Sequence, residues 1–129
     1  MLREIADREA AAKAKDIDLK VGYQGEPGAY GEVAAAAHGG IPRGFASFEK
    51  LLEALRDGEI DEAVLPMENA VVGAITEALE PFAAFVSEGL ELVAVALTSV
   101  PVRLSLAARP GTPLAAVKRA WSHPAALRQ

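Results

Sequence analysis

Short apolar segments that favour β-strands alternate along this sequence with segments that favour helices. Residues 19–24 have the composition of a strand, and residues 63–65 form a continuous apolar run, which is typical of a strand buried on both faces of a sheet. Residues 29–38 and 48–56 between them have the composition and spacing of helices. Strands alternating with helices build βαβ units, so we predict an α/β fold with a mostly parallel sheet flanked by helices.

Further elements follow from turn and capping residues. Ser47 is placed as the N-cap of the second helix, which Gly58 closes, and a short extended piece lies near Phe45. A loop at 67–73 leads into a helix at 74–85, which Pro81 could kink or stop. The pattern also predicts strands at 90–97 and 102–107, a strand end at 120–121, and helices at 2–15, 113–118 and from about 124. We therefore divide the chain into an N-terminal helical extension, 1–18, and one domain, 19–129.

Composition excludes several classes of function. The chain has no cysteine, which rules out disulfides and cysteine-based metal or nucleophile chemistry, and its two histidines are too far apart to indicate a metal site. Its net charge is -5 and no block of Lys or Arg is present, so nucleic acid is not expected as a partner, and an anionic ligand would need local groups. No apolar run is long enough to span a bilayer and the start lacks the core of a secretory signal, so we expect a cytoplasmic protein.

Three segments follow predicted strands at the edge where open α/β sheets bind ligands. The first, residues 25–30 (GEPGAY), has two glycines and precedes a helix whose free N–H groups could hold an anion. An ordinary tight turn is the commoner explanation of such a segment taken alone. It lacks the third glycine of a dinucleotide-binding loop and the Gly-Lys pair of a phosphate loop.

The other two segments carry polar side chains. Glu68 and Asn69 follow a buried strand, and the Asn amide has donors and an acceptor that suit a carboxylate or hydroxyl ligand. Bracing the loop or capping the next helix is an equally good explanation for both residues. Ser122 and Gln129 are two helical turns apart and would share one helix face, and Ser122 is also placed to cap a helix that starts at Pro124. Separately, Arg103 and Arg109 flank a predicted strand and could meet an anionic ligand, although exposed arginines usually have no special role.

Read together, these segments resemble the prephenate dehydratases, from about residue 21 to residue 129. Residues 21–30 (VGYQGEPGAY) resemble the family's opening strand and glycine turn, which plant arogenate dehydratases share. Residues 65–69 (LPMEN), followed by 73–75 (GAI), resemble its Pro-Ile-Glu-Asn loop and the helix after it. Residues 122–124 (SHP), with Gln129 beyond, resemble its Ser-His-Pro motif and downstream Gln.

The resemblance implies a fold and a reaction. The family's catalytic domain is similar to a two-lobed periplasmic binding protein of type II, so this chain would form the first lobe and an incomplete second lobe. The reaction is the decarboxylative dehydration of prephenate to phenylpyruvate in L-phenylalanine biosynthesis, with no metal or organic cofactor. By resemblance, the substrate-binding residues would be Asn69, Ser122 and Gln129, supported by Glu68, with Gly28, Ala29 and Tyr30 nearby.

The sequence also departs from the family. It has Gly31 where the family usually has serine, Ala70 where it has Ser or Thr, and Leu104 where it has histidine. The family's proton-donating threonine motif and its regulatory ACT domain do not occur up to Gln129, so we expect no catalytic residue within this chain and poor turnover by it. The alternative is a non-catalytic module of the same fold that binds a small carboxylate or self-associates. A lone lobe would leave apolar surface uncovered, so we expect a homodimer.

Overall fold

A three-stranded parallel sheet lies at the centre of the fold in the computed structural model, which describes residues 18–128. Its strands are β1 (Lys20–Gln24), β2 (Ile41–Phe45) and β3 (Glu62–Val64), in the order β2-β1-β3. Gly22 of β1 is in register with Arg43 on one side and Ala63 on the other. The predicted α/β class with a mostly parallel sheet is therefore confirmed. The helix predicted at 2–15 and the residue Gln129 lie outside the described residues.

Two helices cover the two faces of this sheet. Helix α1 (Tyr30–Ala37) connects β1 to β2, and its Ala35 packs against Val21 and Tyr23. Helix α2 (Phe48–Arg56) connects β2 to β3 across the other face, where Leu51 and Ile60 pack together. Alternate residues of a strand point to opposite faces. Val21 and Tyr23 both point into the core beneath α1, and Gly22 between them faces Leu51 and Ile60 of the core beneath α2.

The ends of α2 form as the sequence predicted. The Ser47 hydroxyl accepts a hydrogen bond from the Lys50 N–H at 3.3 Å, so Ser47 is the N-cap. Asp57 ends the helix, and Gly58 follows with a φ of 74°, a left-handed angle that glycine adopts without strain. The residues that end the helix therefore also determine where the chain turns from α2 toward β3.

The segment after β3 contains a small hairpin and a third helix. Within the predicted loop, β4 (Glu68–Asn69) pairs antiparallel with β5 (Gly73–Ala74). Helix α3 (Thr76–Ser87) then packs against α2, with Ala78 fully buried. The suggestion that Pro81 stops this helix is wrong. The backbone angle of proline is helical, so its missing N–H costs one hydrogen bond while the chain continues for another six residues.

The strands predicted at 90–97 and 102–107 are wrong, since neither segment forms a ladder in the described chain. Residues 120–121 likewise form no strand, and the helix predicted at 113–118 is reduced to a 3-10 turn, Leu114–Ala116. A strand requires a neighbour that supplies N–H and C=O groups, and the part of the chain described here provides none for these segments. The last helix forms as α4 (Pro124–Leu127).

A separate finding concerns length and polarity. Of the helices between residues 18 and 128, none is both long and apolar enough to cross a membrane.

Candidate functional site

The candidate site lies where the strand order of the sheet reverses. The chain moves from β1 to β2 on one side and then returns past β1 to β3 on the other. Tyr23 is in register with Val64, so the loops that leave β1 and β3 start side by side at the carboxyl edge. Ligands of open α/β sheets bind at such a reversal, in the crevice outside the strand ends. Two of the three predicted segments, residues 25–30 and 66–70, therefore begin at the same place.

The first loop is held by its own hydrogen bonds. The Gly25 N–H donates to the carbonyl of Phe45 at 2.9 Å, and the Ala29 N–H donates to the carbonyl of Glu26 at 3.1 Å. Gly25 and Gly28 have φ angles of 123° and 93°, which L side chains rarely adopt. The two glycines are thus required by the turn itself.

A carboxylate occupies part of the anion site predicted at this loop. Glu32, in the first turn of α1, accepts a hydrogen bond from the Gly28 N–H at 2.6 Å. The Gly28 N–H is therefore already paired with a carboxylate, and a substrate-binding role for Gly28 stays a prediction. The position of Glu32, in the third residue of the helix, is one from which Glu commonly reaches back to the preceding backbone, and this is the signal that could have identified it.

The second loop uses Asn69 as a brace. Its side-chain oxygen Oδ1 accepts hydrogen bonds from the Val71 N–H at 2.9 Å and the Val72 N–H at 3.2 Å. The bracing explanation of Asn69 is confirmed, and these two hydrogen bonds use Oδ1 and not the amide nitrogen Nδ2. Glu68, beside it in β4, is exposed to solvent. A ligand role for either residue stays a prediction.

The third segment differs from its predicted form. His123, not Ser122, is the N-cap of α4, because its ring nitrogen Nδ1 accepts a hydrogen bond from the Ala125 N–H at 3.2 Å. The helix starts at Pro124, so Ser122 is one residue too early to cap it. Ser122 is exposed, and within residues 18–128 no hydrogen bond joins it to either of the other loops. The proposed pairing of Ser122 with Gln129 lies outside the described residues.

One contact was not predicted and brings a distant segment to the first loop. The Tyr30 hydroxyl lies 2.9 Å from the carbonyl oxygen of Arg103 and 3.0 Å from its backbone nitrogen. Leu104, one of the three departures from the prephenate dehydratase pattern, directly follows this contact. Gly31, another departure, directly follows Tyr30, so two of the altered positions are neighbours of the same tie.

Burial and two nearby carboxylates act on the phenol of Tyr23, in the strand that leads into the first loop. Burial raises the pKa of the Tyr23 phenol above its usual value, and the carboxylates of Glu32 and Glu26 raise it further. Tyr23 therefore stays protonated near neutral pH. Between residues 18 and 128, His, Asp and Glu side chains nowhere form a group of three that could hold a metal ion.

Comparison with known proteins identifies a family. The sequence profile described as prephenate dehydratase matches residues 21–129. Arogenate dehydratase 5, chloroplastic, from Arabidopsis thaliana is 36% identical over 115 residues, which are 86% of this chain and 25% of that protein. The prephenate dehydratase of Amycolatopsis methanolica is 34% identical over 113 residues, 85% of this chain and 35% of that protein. The prephenate dehydratase of Mycolicibacterium vanbaalenii is 32% identical over 96 residues, 74% of this chain and 30% of that protein.

The matched residues cover only part of each relative. The chain spans about a quarter to a third of the length of the curated relatives it matches. No solved structure gives a significant match.

Proposed function

Since the chain belongs to the prephenate dehydratase family, we propose that it contributes the first part of a site for the decarboxylative dehydration of prephenate to phenylpyruvate. The observation that carries this proposal is the reversal of strand order between β1 and β3. The glycine turn and the Glu-Asn loop, which carry the family resemblance, start side by side there. Arogenate, which is named in several of the relatives, is an alternative substrate of the same chemical class.

The chemistry requires little from the protein beyond placement. Loss of water and carbon dioxide makes the ring aromatic, which supplies the driving force, so the enzyme must hold the substrate carboxylates and protonate the leaving hydroxyl. We assign substrate contacts to Asn69, Ser122 and Gln129, with Glu68 as support. By family resemblance, we assign the proton donor to a threonine of a motif that residues 1–129 do not include.

The proposal extends to domain organisation and fold type. We propose a domain at 19–129 that forms one lobe, and the start of a second, of a type II periplasmic-binding-protein-like fold, with 1–18 as an extension. The start of β1 at Lys20 and the start of the family match at residue 21 support this boundary. We further propose a cytoplasmic location, which the absence of cysteine supports.

Asn69 provides a test that separates bracing from binding. In Asn69→Asp the carboxylate still accepts hydrogen bonds from the Val71 and Val72 N–H groups, so the turn is kept. The amide donor is replaced by a negative charge, which repels a carboxylate ligand. Calorimetric titration with prephenate should show binding to the wild-type chain and at least about tenfold weaker binding to Asn69→Asp, the order expected for a charged hydrogen bond.

The control places the same added charge at the other edge of the sheet. Ala37→Asp, at the end of α1 before β2, should bind prephenate as the wild-type chain does. Equal affinity of Asn69→Asp and the wild type would remove Asn69 from the site. A wild-type chain that does not bind prephenate at all would contradict the proposed function. Phenylpyruvate, measured by its absorbance in alkali, should not accumulate appreciably with this chain alone.

A second candidate is a non-catalytic module that binds small carboxylates. The observation that favours it is the position of Ser122, which is exposed and not joined by a hydrogen bond to the other two loops in the described chain. Titration with malonate distinguishes the two candidates. A dehydratase site should prefer prephenate, whereas equal affinity for malonate would favour the general carboxylate-binding module.

A further inference from the structure

Tyr30 and Arg103 are joined by two hydrogen bonds although they are 73 residues apart. The Tyr30 hydroxyl donates to the Arg103 carbonyl oxygen at 2.9 Å and accepts from the Arg103 N–H at 3.0 Å. A phenol has one donor, and it is used here together with one acceptor position. Both backbone polar groups of Arg103 are satisfied by this one hydroxyl.

This contact is important because of the segment in which Arg103 lies. Residues 91–108 form neither helix nor strand, and in the described chain these two hydrogen bonds are the ones that tie this segment to the rest of the molecule. The tie ends at the first residue of α1, next to the glycine turn at the strand reversal. The Tyr30 hydroxyl therefore determines the position of the residues around Arg103 relative to the candidate site.

We infer that Tyr30 is a positioning residue, whose hydroxyl holds Arg103 at the first loop so that the Arg103 guanidinium can bind a carboxylate of the ligand. This inference rests on the proposed function, because it assigns a cation to that same site. It also changes the expected role of Tyr30, whose hydroxyl is committed to Arg103 and does not need to contact substrate.

Charge at the site supports a role for Arg103. The Glu32 carboxylate occupies the Gly28 N–H and disfavours an anion at the start of α1, so a carboxylate ligand needs a cation nearby.

Lys50 is paired with Glu53 at 2.7 Å. Arg56 is paired with its neighbour Asp57 at 2.9 Å. Lys20 begins β1 and so lies at the opposite edge of the sheet. The backbone of Arg103 is tied to the first loop by a direct contact, which keeps its cationic side chain in that neighbourhood.

Amide exchange tests the tie itself. Tyr30→Phe removes one oxygen atom, and the Arg103 N–H, which lies in an exposed segment without secondary structure, loses its acceptor. Its exchange with solvent, followed by NMR, should become about tenfold faster, as expected for the loss of one ordinary hydrogen bond. Arg103→Gln is the matched control, because it keeps the backbone contact and should keep slow exchange. Unchanged exchange in Tyr30→Phe would overturn the inference.

A double-mutant cycle tests whether Tyr30 acts through Arg103. Arg103→Gln should weaken prephenate binding by about tenfold or more, since a charged hydrogen bond is lost. Tyr30→Phe should weaken binding in the wild-type background and have no further effect in Arg103→Gln. Independent, additive losses would overturn the positioning role. If the wild-type chain binds no prephenate, the proposed function fails together with the ligand role of Arg103, while the exchange measurement still decides the tie.

Discussion

Gly22 shows how closely single residues determine the packing of the sheet. A Cβ atom at this position would collide with Cδ1 of Ile60 and would lie 2.5 Å from Cδ1 of Leu51. Gly22 is buried in the central strand, where a residue without a side chain has little β propensity. Its presence lets α2 and the α2–β3 connection approach the strand backbone directly, so propensity is outweighed by the close approach.

Gly22→Ala should therefore destabilise the fold. Overpacking of a core by one methyl group forces side chains out of their rotamers, and we expect a loss of about 1–3 kcal/mol in the free energy of unfolding. Urea denaturation followed by circular dichroism measures this change. Ala36→Ser, which adds one atom at an exposed position of α1, should leave stability within about 0.5 kcal/mol of the wild type. Equal stability of the two variants would contradict the packing described for β1.

Individual residues also show how much of the candidate site could be predicted from the sequence. The types and order of Gly28, Glu68 and Asn69 identified loops at one sheet edge, because parallel strands end together. The partners of these side chains could not be predicted, since Glu32 reaches Gly28 and Asn69 reaches the next turn through geometry that forms with the fold. The Tyr30–Arg103 contact left no periodic or local signal at all, because it joins a helix start to an unpaired segment.

At the scale of elements, α2 is the helix whose start is best determined by its own residues. Ser47 caps it, and Glu49 lies in its first turn, where a negative charge is favoured by the helix dipole. The pKa of Glu49 is lowered, first by a hydrogen bond from its own backbone N–H and then by one from the Ser47 side chain. Both bonds favour the ionised carboxylate.

A lowered pKa in the folded state fixes the sign of the pH dependence. Glu49 adds stability above its unfolded pKa, about 4.3, and this contribution is lost as the pH falls through the lower folded value. Glu49→Gln should thus lower the midpoint of thermal unfolding at pH 7, and the difference from the wild type should shrink as the pH falls below about 4. Glu91→Gln, in the exposed segment after α3, is the control and should show a smaller difference at pH 7. A difference for Glu49→Gln that grew toward low pH would contradict this assignment.

Most elements within residues 19–87 were predictable because each contains its own evidence, whereas the β4–β5 hairpin was predicted as a loop. Caps, glycine turns and apolar runs specified β1, α1, α2, β3 and α3, and tertiary packing of the two helices on the sheet agrees with that local evidence. The segments 90–97 and 102–107 have equally apolar sequences but no ladder partner among the described residues. An apolar pattern predicts that a segment suits a strand, and it carries no information on which backbone will pair with it.

At the scale of the whole molecule, apolar surface is distributed unevenly. The buried core is formed by residues between Val21 and Ala78. After Gly89 many large apolar side chains are exposed, and we call four of them the apolar C-terminal set: Val93, Leu97, Leu114 and Trp121. Exposed apolar surface of this kind commonly marks a site of association, so we propose that copies of the chain associate through this set.

Substitution within the apolar C-terminal set tests that expectation. Leu97 and Trp121 are 93% and 88% exposed, so the double variant Leu97→Ser/Trp121→Ser removes apolar surface without opening a cavity in the core. If copies associate through this surface, light scattering should give a dimer mass for the wild-type chain and a shift toward the monomer for the double variant. The thermal midpoint at low protein concentration should change little, because neither side chain contributes to the buried core.

Val33→Ser/Val86→Ser, which removes two exposed valines from α1 and α3, is the matched control and should keep the dimer mass. A wild-type chain that is monomeric at every concentration, or a double variant with an unchanged dimer mass, would show that the apolar C-terminal set does not mediate self-association.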